Sequence, residues 1–421
     1  MTGANHRVNM MNRRQFLQTS SALGLLAALP LAARAQEALS VLLPPWVTLP
    51  KEMTDTFPGP LDIQTLGWDE IRTKIVTSMV ANTAPASATE MDWSWVGQFG
   101  SAGWYDALDD LLPPELKADL PTTSIFTYDG ALIGVPYNND FRVMIYNKAH
   151  LEAAGVAAPP KTPEELLAAA RAVKAAGVAD YPIALPLSAS EGAATAWYLL
   201  TKAFGGDLFD AEFKPLFTDP GSAGYQAMAF EVAALKEGLI DPAATSLKDV
   251  EVQELFKAGK ATFDVAGWAG NLAVYTDPEK SQVAADAAAA LMPNVNGTSR
   301  TFGLPGALGI PVNAANKEAA RQFILWMLEP KTMADNYRLL GNLPTRISVL
   351  ETLNAEGKLR EGDVLIAQAS VVEPLFAQGT PGWYPEFSGA VATALNAAAK
   401  GQISVDEAVA QIAEAAAAAQ E

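Results

Sequence analysis

Ala38-Leu-Ser-Val-Leu-Leu43, Leu61-Asp-Ile-Gln-Thr-Leu66 and Asp69-Glu-Ile-Arg-Thr-Lys-Ile-Val-Thr-Ser-Met-Val80 follow one another near the start of the chain. The first is a short apolar run stopped by Pro44-Pro45, and a proline cannot donate to a strand ladder. The second alternates apolar and polar residues, the period of a half-buried strand. The third spaces Ile71, Ile75 and Met79 four apart, which puts them on one helix face. Strand followed by amphipathic helix is the signature of an α/β fold with mostly parallel sheets.

The same alternation continues outward. Thr162-Pro163-Glu164-Glu165 is a helix start in which Thr162 caps, proline takes the first turn and Glu165 closes a capping box; Gly177 is its stop. Asp219-Pro220 predicts a second helix, with Tyr225, Met228, Val232 and Leu235 inward and an end near Gly238. Lys317–Leu328 is a third, apolar at Phe323, Ile324 and Met327, and Ser404 with Glu407 caps the last. Ala261–Ala266 and Leu304–Pro311 read as strands. No repeat of fixed period is present. A length of 421 residues suits two or three domains, and a 50% hydrophobic composition supplies their cores.

The formal charge is −18, and residues 1–35 carry four arginines and no acid, so without them it falls to −22. So acidic a chain has no means of gripping phosphate backbones or anionic lipid, which excludes nucleic acid as a partner. There are no cysteines, hence no disulfides, thiolate chemistry, cysteine-based zinc sites or lipid-modified cysteine. Asn12-Arg13-Arg14-Gln15-Phe16-Leu17, an apolar run from Ala22 to Ala33 and Ala33-Arg34-Ala35 together make a twin-arginine export signal over residues 1–35, with Gln36 first after cleavage. The apolar run falls short of the ~20 residues that span a bilayer. The expected location is the periplasm.

His150 is the one histidine outside the signal, and its surroundings suit a satisfied surface residue. No Ser-His-Asp triad, histidine-rich metal site or glycine-rich phosphate loop is expected, and no cofactor or catalytic residue is assigned. Paired carboxylates could still serve a glycosidase. Asp109-Asp110 reads instead as a solvated loop and Glu164-Glu165 as a helix N-terminus. Asp92 stands out because Trp93 and Trp95 follow it. All nine tryptophans lie beyond the signal, several beside turns: Trp46 after the first strand, Trp268 in Ala266-Gly-Trp-Ala-Gly-Asn271, and Trp383-Tyr384 in Pro381-Gly-Trp-Tyr-Pro385. Ligands of open α/β sheets bind beyond the strand ends, where aromatic faces suit pyranose rings and carboxylates and amides take hydroxyls. Trp326, in a helical stripe, and Trp104 read as core.

On Ala131-Leu-Ile-Gly-Val-Pro-Tyr-Asn-Asn-Asp140-Phe-Arg-Val-Met-Ile-Tyr-Asn-Lys148, the helix at Ala154–Leu166, Ala203-Phe-Gly-Gly206, Leu255–Phe263 leading into Gly267-Trp268, Gly303–Val312 with Asn316–Phe323, Leu343-Pro-Thr-Arg346 and Ser404–Ala408, the chain resembles the family 1 extracellular solute-binding proteins of ABC importers, the group that contains maltose-binding protein. The resemblance covers nearly all of the chain after the signal. It implies a two-lobed periplasmic binding protein (type II) with discontinuous lobes, 36–139 plus 291–330 and 140–290 plus 331–421. Crossings are implied near 139–142, 288–293 and 328–335, with a solute held between the lobes and a membrane permease as partner of the closed form. It further implies ligand contacts at Trp268, at Asp140 in the first crossing, at Trp93, Trp95 and Gln98, at Trp197, at Arg346 and at Trp383 and Tyr384; Trp46, Asp92 and Asn271 complete the expected set. The chain departs from the family pattern at Glu90-Met-Asp92, where the family has Pro-Asp. The expected solute is a carbohydrate or polyol bound by a monomer. A cleft-facing Arg142 or Arg346 would favour an anionic solute such as a sugar acid or phosphorylated polyol. The third alternative is a periplasmic two-carboxylate glycoside hydrolase.

Overall fold

Two sheets frame the computed structural model, which describes residues 37–421. The export-signal reading of residues 1–35 therefore lies outside the described residues. The first sheet has five strands in the order Leu61–Thr65, Leu39–Leu43, Ala88–Asp92, Gly306–Gly309, Val135–Asn138. Its first three strands are parallel, in the register Leu39 to Leu61 and Val41 to Ala88. Gly306–Gly309 enters antiparallel between Ala88–Asp92 and Val135–Asn138. The second sheet has four strands in the order Ala287–Ala290, Met144–Asn147, Phe263–Asp264, Ile183–Ala184. Met144–Asn147 is antiparallel to both of its neighbours. Each sheet thus contains one reversed strand, and each reversed strand arrives from the segment that built the other sheet.

The chain passes between the sheets at 139–143. Asn139 bridges Leu343, Phe141 bridges Gly303 and Arg142 bridges Trp268. The helix Pro330–Leu340 lies against Lys51–Thr54, where Arg338 pairs with Glu52 at 2.7 Å. The Ile347 amide donates to the Asp119 carbonyl, so this part of the chain still rests on residues that precede the first crossing.

Local signals largely act as their chemistry dictates. Ile71, Ile75 and Met79 are the buried face of Trp68–Val80. Thr162 accepts from the Glu165 amide at the start of Pro163–Ala175, and Ser404 and Glu407 form a reciprocal capping box on Val405–Ala419. The alanine-rich end of the sequence is helical through Ala419. Two readings shift. The helix expected from Asp219-Pro220 begins at Ala223, because Asp219 accepts from the Gly221 amide in a turn and Ser222 caps instead. Its inward face is Ala227, Met228, Glu231 and Ala234, while Tyr225, Val232 and Leu235 are only half-buried. Glu231 is fully buried with neither carboxyl oxygen hydrogen-bonded, and burial holds its carboxyl well above the usual range. The strand expected over Ala261–Ala266 is confined to Phe263–Asp264, since Val265 and the residues after it turn towards the crossing.

Candidate functional site

The strand Ala88–Asp92 alternates its side chains, which puts Glu90 and Asp92 on one face. Gly306 stands opposite Asp92 in the neighbouring strand, and a Cβ there would come 2.7 Å from Glu90 Oε1. The missing side chain leaves room for the carboxyl. Tyr137 donates to Glu90 at 2.7 Å. Burial, with the nearby Asp92 charge adding to it and the Tyr137 bond opposing it, pushes the Glu90 carboxyl up to about 8. Asp92 caps the turn at Trp93–Trp95 by accepting from the Ser94 amide at 2.9 Å, and accepts from the Trp68 indole at 2.9 Å. Burial still raises its carboxyl despite these donors.

Residues 141–143 pair with 267–269 across the crossing, which sets Arg142 directly opposite Trp268. The guanidinium lies 5.0 Å from the indole centroid and donates to the Ala266 carbonyl at 2.7 Å. One face of Trp268 is therefore covered by its own chain. Asp140 beside it is half-buried, and burial raises its carboxyl to about 6 although Arg142 pulls it down. Glu191 and Asp249 open two helices, Glu191–Ala203 and Asp249–Lys257. A Cβ on Gly192 would fall 1.7 Å from Asp249 Oδ1, so the two helix starts meet only because that residue is glycine. Tyr384 and Ser388 donate to Glu191, whose carboxyl is raised by loss of surrounding water even though the residue is exposed to the cleft.

These groups line one cleft of about 360 Å³ between the two sheets. Trp46, Trp68 and Trp93 come from the first-sheet side, Trp268 and Asn271 from the second, and Asn138, Asn139 and Asp140 form its floor at the crossing. Leu340, Gly341, Asn342 and Leu343 edge it, and Asn342 donates to the Trp46 carbonyl at 3.0 Å. Trp268 Nε1, Asn271 Nδ2 and Asn139 Oδ1 are buried without a hydrogen-bond partner. Such groups cost about 1–3 kcal/mol each until something bonds to them.

Of the twelve residues expected at a ligand, Trp46, Asp92, Trp93, Asp140, Trp268 and Asn271 line this cleft. Tyr384 lies one contact back, its ring 4.9 Å from Trp93 and its hydroxyl on Glu191. The other five point elsewhere. Trp95 is 1% exposed and packs on Trp68 and Phe99. Gln98 accepts from Arg72 at 2.8 Å. Trp197 is wholly buried and donates to the Gly224 carbonyl. Arg346 is held by Asp119 at 2.7 Å and by the Leu328 carbonyl. Trp383 joins an aromatic cluster with Phe209, Phe213 and Phe376. Each of these is packed on or bonded to parts of the protein that its sequence neighbours could not reveal, although Trp95 Nε1 is itself buried without a hydrogen-bond partner. Sequence reasoning passed over Trp68, Glu90, Glu191 and Asp249 as cleft residues. Glu90 alone carried a local signal, an acid two residues from Asp92 in a strand.

The bacterial extracellular solute-binding protein model matches residues 60–334. The chain belongs to that family. A curated protein of Brucella abortus strain 2308, named only as a binding protein, is 26% identical over 326 residues, 77% of each chain. A Sinorhizobium fredii protein named as a probable amino-acid ABC transporter periplasmic-binding protein is 24% identical over 319 residues, 72% of this chain and 70% of its own. Among solved structures, maltose-bound MalE3 of T. maritima superposes with a TM-score of 0.78 at 21% identity, covering 90% of this chain and 99% of that one. An ABC transporter solute-binding protein of Thermotoga lettingae with bound α-D-tagatose gives 0.75 at 21%, covering 91% and 100%. One from Agrobacterium vitis with bound D-mannitol gives 0.71 at 23%, covering 90% and 97%. The fold is therefore the two-lobed α/β binding-protein fold. The family and these neighbours are binding proteins, not enzymes. Among the described residues no helix is long and apolar enough to cross a membrane.

Proposed function

We propose that this family member is the periplasmic solute-binding component of an ABC importer, exported through its twin-arginine signal, and that it captures a carbohydrate or polyol. The observation that carries this reading is the meeting of indoles from both sheets over one cleft whose lining includes unpartnered amide and indole groups. Pyranose faces lie on indoles while hydroxyls bond to carboxylates and amides. Tagatose and mannitol in the similar structures agree with it. Residues 37–139 with the segment around Gly306–Met327 make the first lobe, and 144–290 with the residues after about 350 make the second. Trp46, Asp92, Trp93, Asp140, Trp268 and Asn271 contact the solute, and Tyr384 positions Glu191 and Trp93. The lobes close on the solute as a monomer, and a membrane permease receives the closed form. A solute can favour closure only by contacts that the open form lacks. An anionic solute is disfavoured, since among the described residues Arg142 is the one basic residue lining the cleft and is already engaged.

A thermal-shift screen of hexoses, ketohexoses, hexitols, pentitols and maltodextrins, read beside tryptophan emission, tests this. A binding solute at a hundred times its Kd adds about 2.7 kcal/mol and raises Tm by about 2 °C or more, with no product formed. If no member of the panel moves either signal, the reading is wrong.

A further inference from the structure

We propose that the preferred solute carries a positive charge: a protonated amine on a sugar or polyol skeleton. This rests on the carbohydrate reading of the cleft and narrows it. Among the described residues five carboxyl side chains line the cleft; Glu90 is held neutral by burial, which leaves Asp92, Asp140, Glu191 and Asp249 against the guanidinium of Arg142. That guanidinium is stacked on Trp268 and bonded to the Ala266 carbonyl, so it neutralises no one acid by direct pairing. Asp140 and Asp249 have no ion-pair partner among the described residues. Asn139, 2% exposed, adds a carbonyl oxygen that accepts from nothing. The acids also sense one another, because the charges of Asp92 and Asp249 both raise Asp140 and Glu191.

A neutral guest that displaces water from this cleft strengthens the repulsion, since like charges interact more strongly as the local dielectric falls. A protonated amine does the reverse. It donates up to three hydrogen bonds to acceptors that lack donors, and it gains further from the faces of Trp46, Trp68 and Trp93. Among the described residues no three acids or histidines gather closely enough to hold a metal ion, so the spread of acceptors fits an organic cation better than a bare one.

The test is isothermal titration with matched pairs: D-glucosamine and D-glucose, D-galactosamine and D-galactose, D-glucamine and D-sorbitol, with N-acetyl-D-glucosamine as the uncharged amine derivative. In at least one pair the amine binds about tenfold tighter or more, acetylation removes the gain, and D249N lowers affinity for the amine by a factor several times larger than the factor by which it lowers affinity for the neutral partner. Asp249 is a half-buried helix-start residue whose side chain makes no internal hydrogen bond, and an unchanged Tm shows that D249N is folded. Equal or tighter binding of the neutral member in every pair overturns the charge preference and leaves the carbohydrate reading standing. Choline binding as tightly as the best amino sugar overturns the carbohydrate reading and leaves the charge preference. Binding of none overturns both.

Discussion

On the first-sheet side of the cleft, Glu90 accepts from Tyr137, and Asp92 from Ser94 and Trp68; across from them Asp249 accepts from nothing, and Trp268 Nε1 and Asn271 Nδ2 donate to nothing. Only Glu191 on the second side is anchored, by Tyr384 and Ser388. The first wall is built on a strand whose neighbours reach it through fixed register, so its acids are satisfied by the protein. The second wall is built on helix starts and on a turn beyond a two-residue strand, where Trp268 Nε1, Asn271 Nδ2 and the Asp249 carboxyl are left without a protein hydrogen-bond partner. Groups already bonded contribute shape and field, whereas unsatisfied groups change most when a solute arrives. Affinity should therefore be most sensitive on the second wall and stability most sensitive on the first.

The largest effect expected on the first wall is a pH effect. The folded protein holds a proton on Glu90 up to about pH 8, while the unfolded chain releases it near the ordinary glutamate value of 4.5. As pH rises between these values, the unfolded state gains from ionising and the folded state does not, so stability falls. E90Q keeps an oxygen to accept from Tyr137 and removes the titration. Denaturant melts at pH 5, 6, 7 and 8 should show the variant gaining on the parent by an amount on the order of a few kcal/mol over that window. Parallel curves would show that Glu90 is not held neutral and that the first wall is no tighter than the second.

On the second wall the decisive change is W268A. It removes the second wall's indole, with its one uncovered face, and the support under Arg142 together. We expect affinity to fall about 30-fold or more, which is about 2 kcal/mol, with Tm of the unliganded protein reduced far less than in a core substitution of similar size. Equal losses for W268A and W68A in calorimetric titrations would erase the contrast between the walls.

How much of this was legible beforehand follows the same physical division. Strand, helix and cap signals are local, and Ile71, Ile75, Met79, Thr162 and Ser404 sit where their spacing puts them. The two-sheet arrangement was legible through the crossing sequence at 131–148, whose strands do fall in different sheets. The cleft was half legible. Trp46, Trp93 and Trp268 follow strand ends directly, and a strand end is a place one can read from sequence. Glu191 and Asp249 are ordinary acidic helix starts until two helices converge across Gly192, a contact between residues 57 positions apart. Trp197 and Trp383 lie away from the cleft for the opposite reason. Nothing in their neighbourhoods in the chain announces that Gly224 or Phe209 waits to pack against them.

Trp383 gives the smallest expected effect on affinity and the sharpest check on position as against residue type. It is adjacent in sequence to Tyr384, whose ring touches Trp93 at the cleft, yet its own ring packs edge-on to Phe209 at 5.5 Å and to Phe376 at 5.9 Å on the side away from the solute. W383F preserves an aromatic in that cluster and loses only the second ring, so stability falls by about 1–3 kcal/mol. Solute affinity should stay within about twofold, because the helix Tyr384–Ala399 that carries the neighbouring tyrosine is held independently by its buried face and by the Tyr384–Glu191 and Ser388–Glu191 bonds. Y384F is the paired measurement. It leaves the ring against Trp93 but takes one donor from Glu191, which raises that carboxyl further and favours its neutral form, so affinity for a cationic solute should fall while W383F leaves it unchanged. A larger affinity loss for W383F than for Y384F would mean that the aromatic cluster behind the cleft, and not the acid in front of it, sets the shape the solute meets.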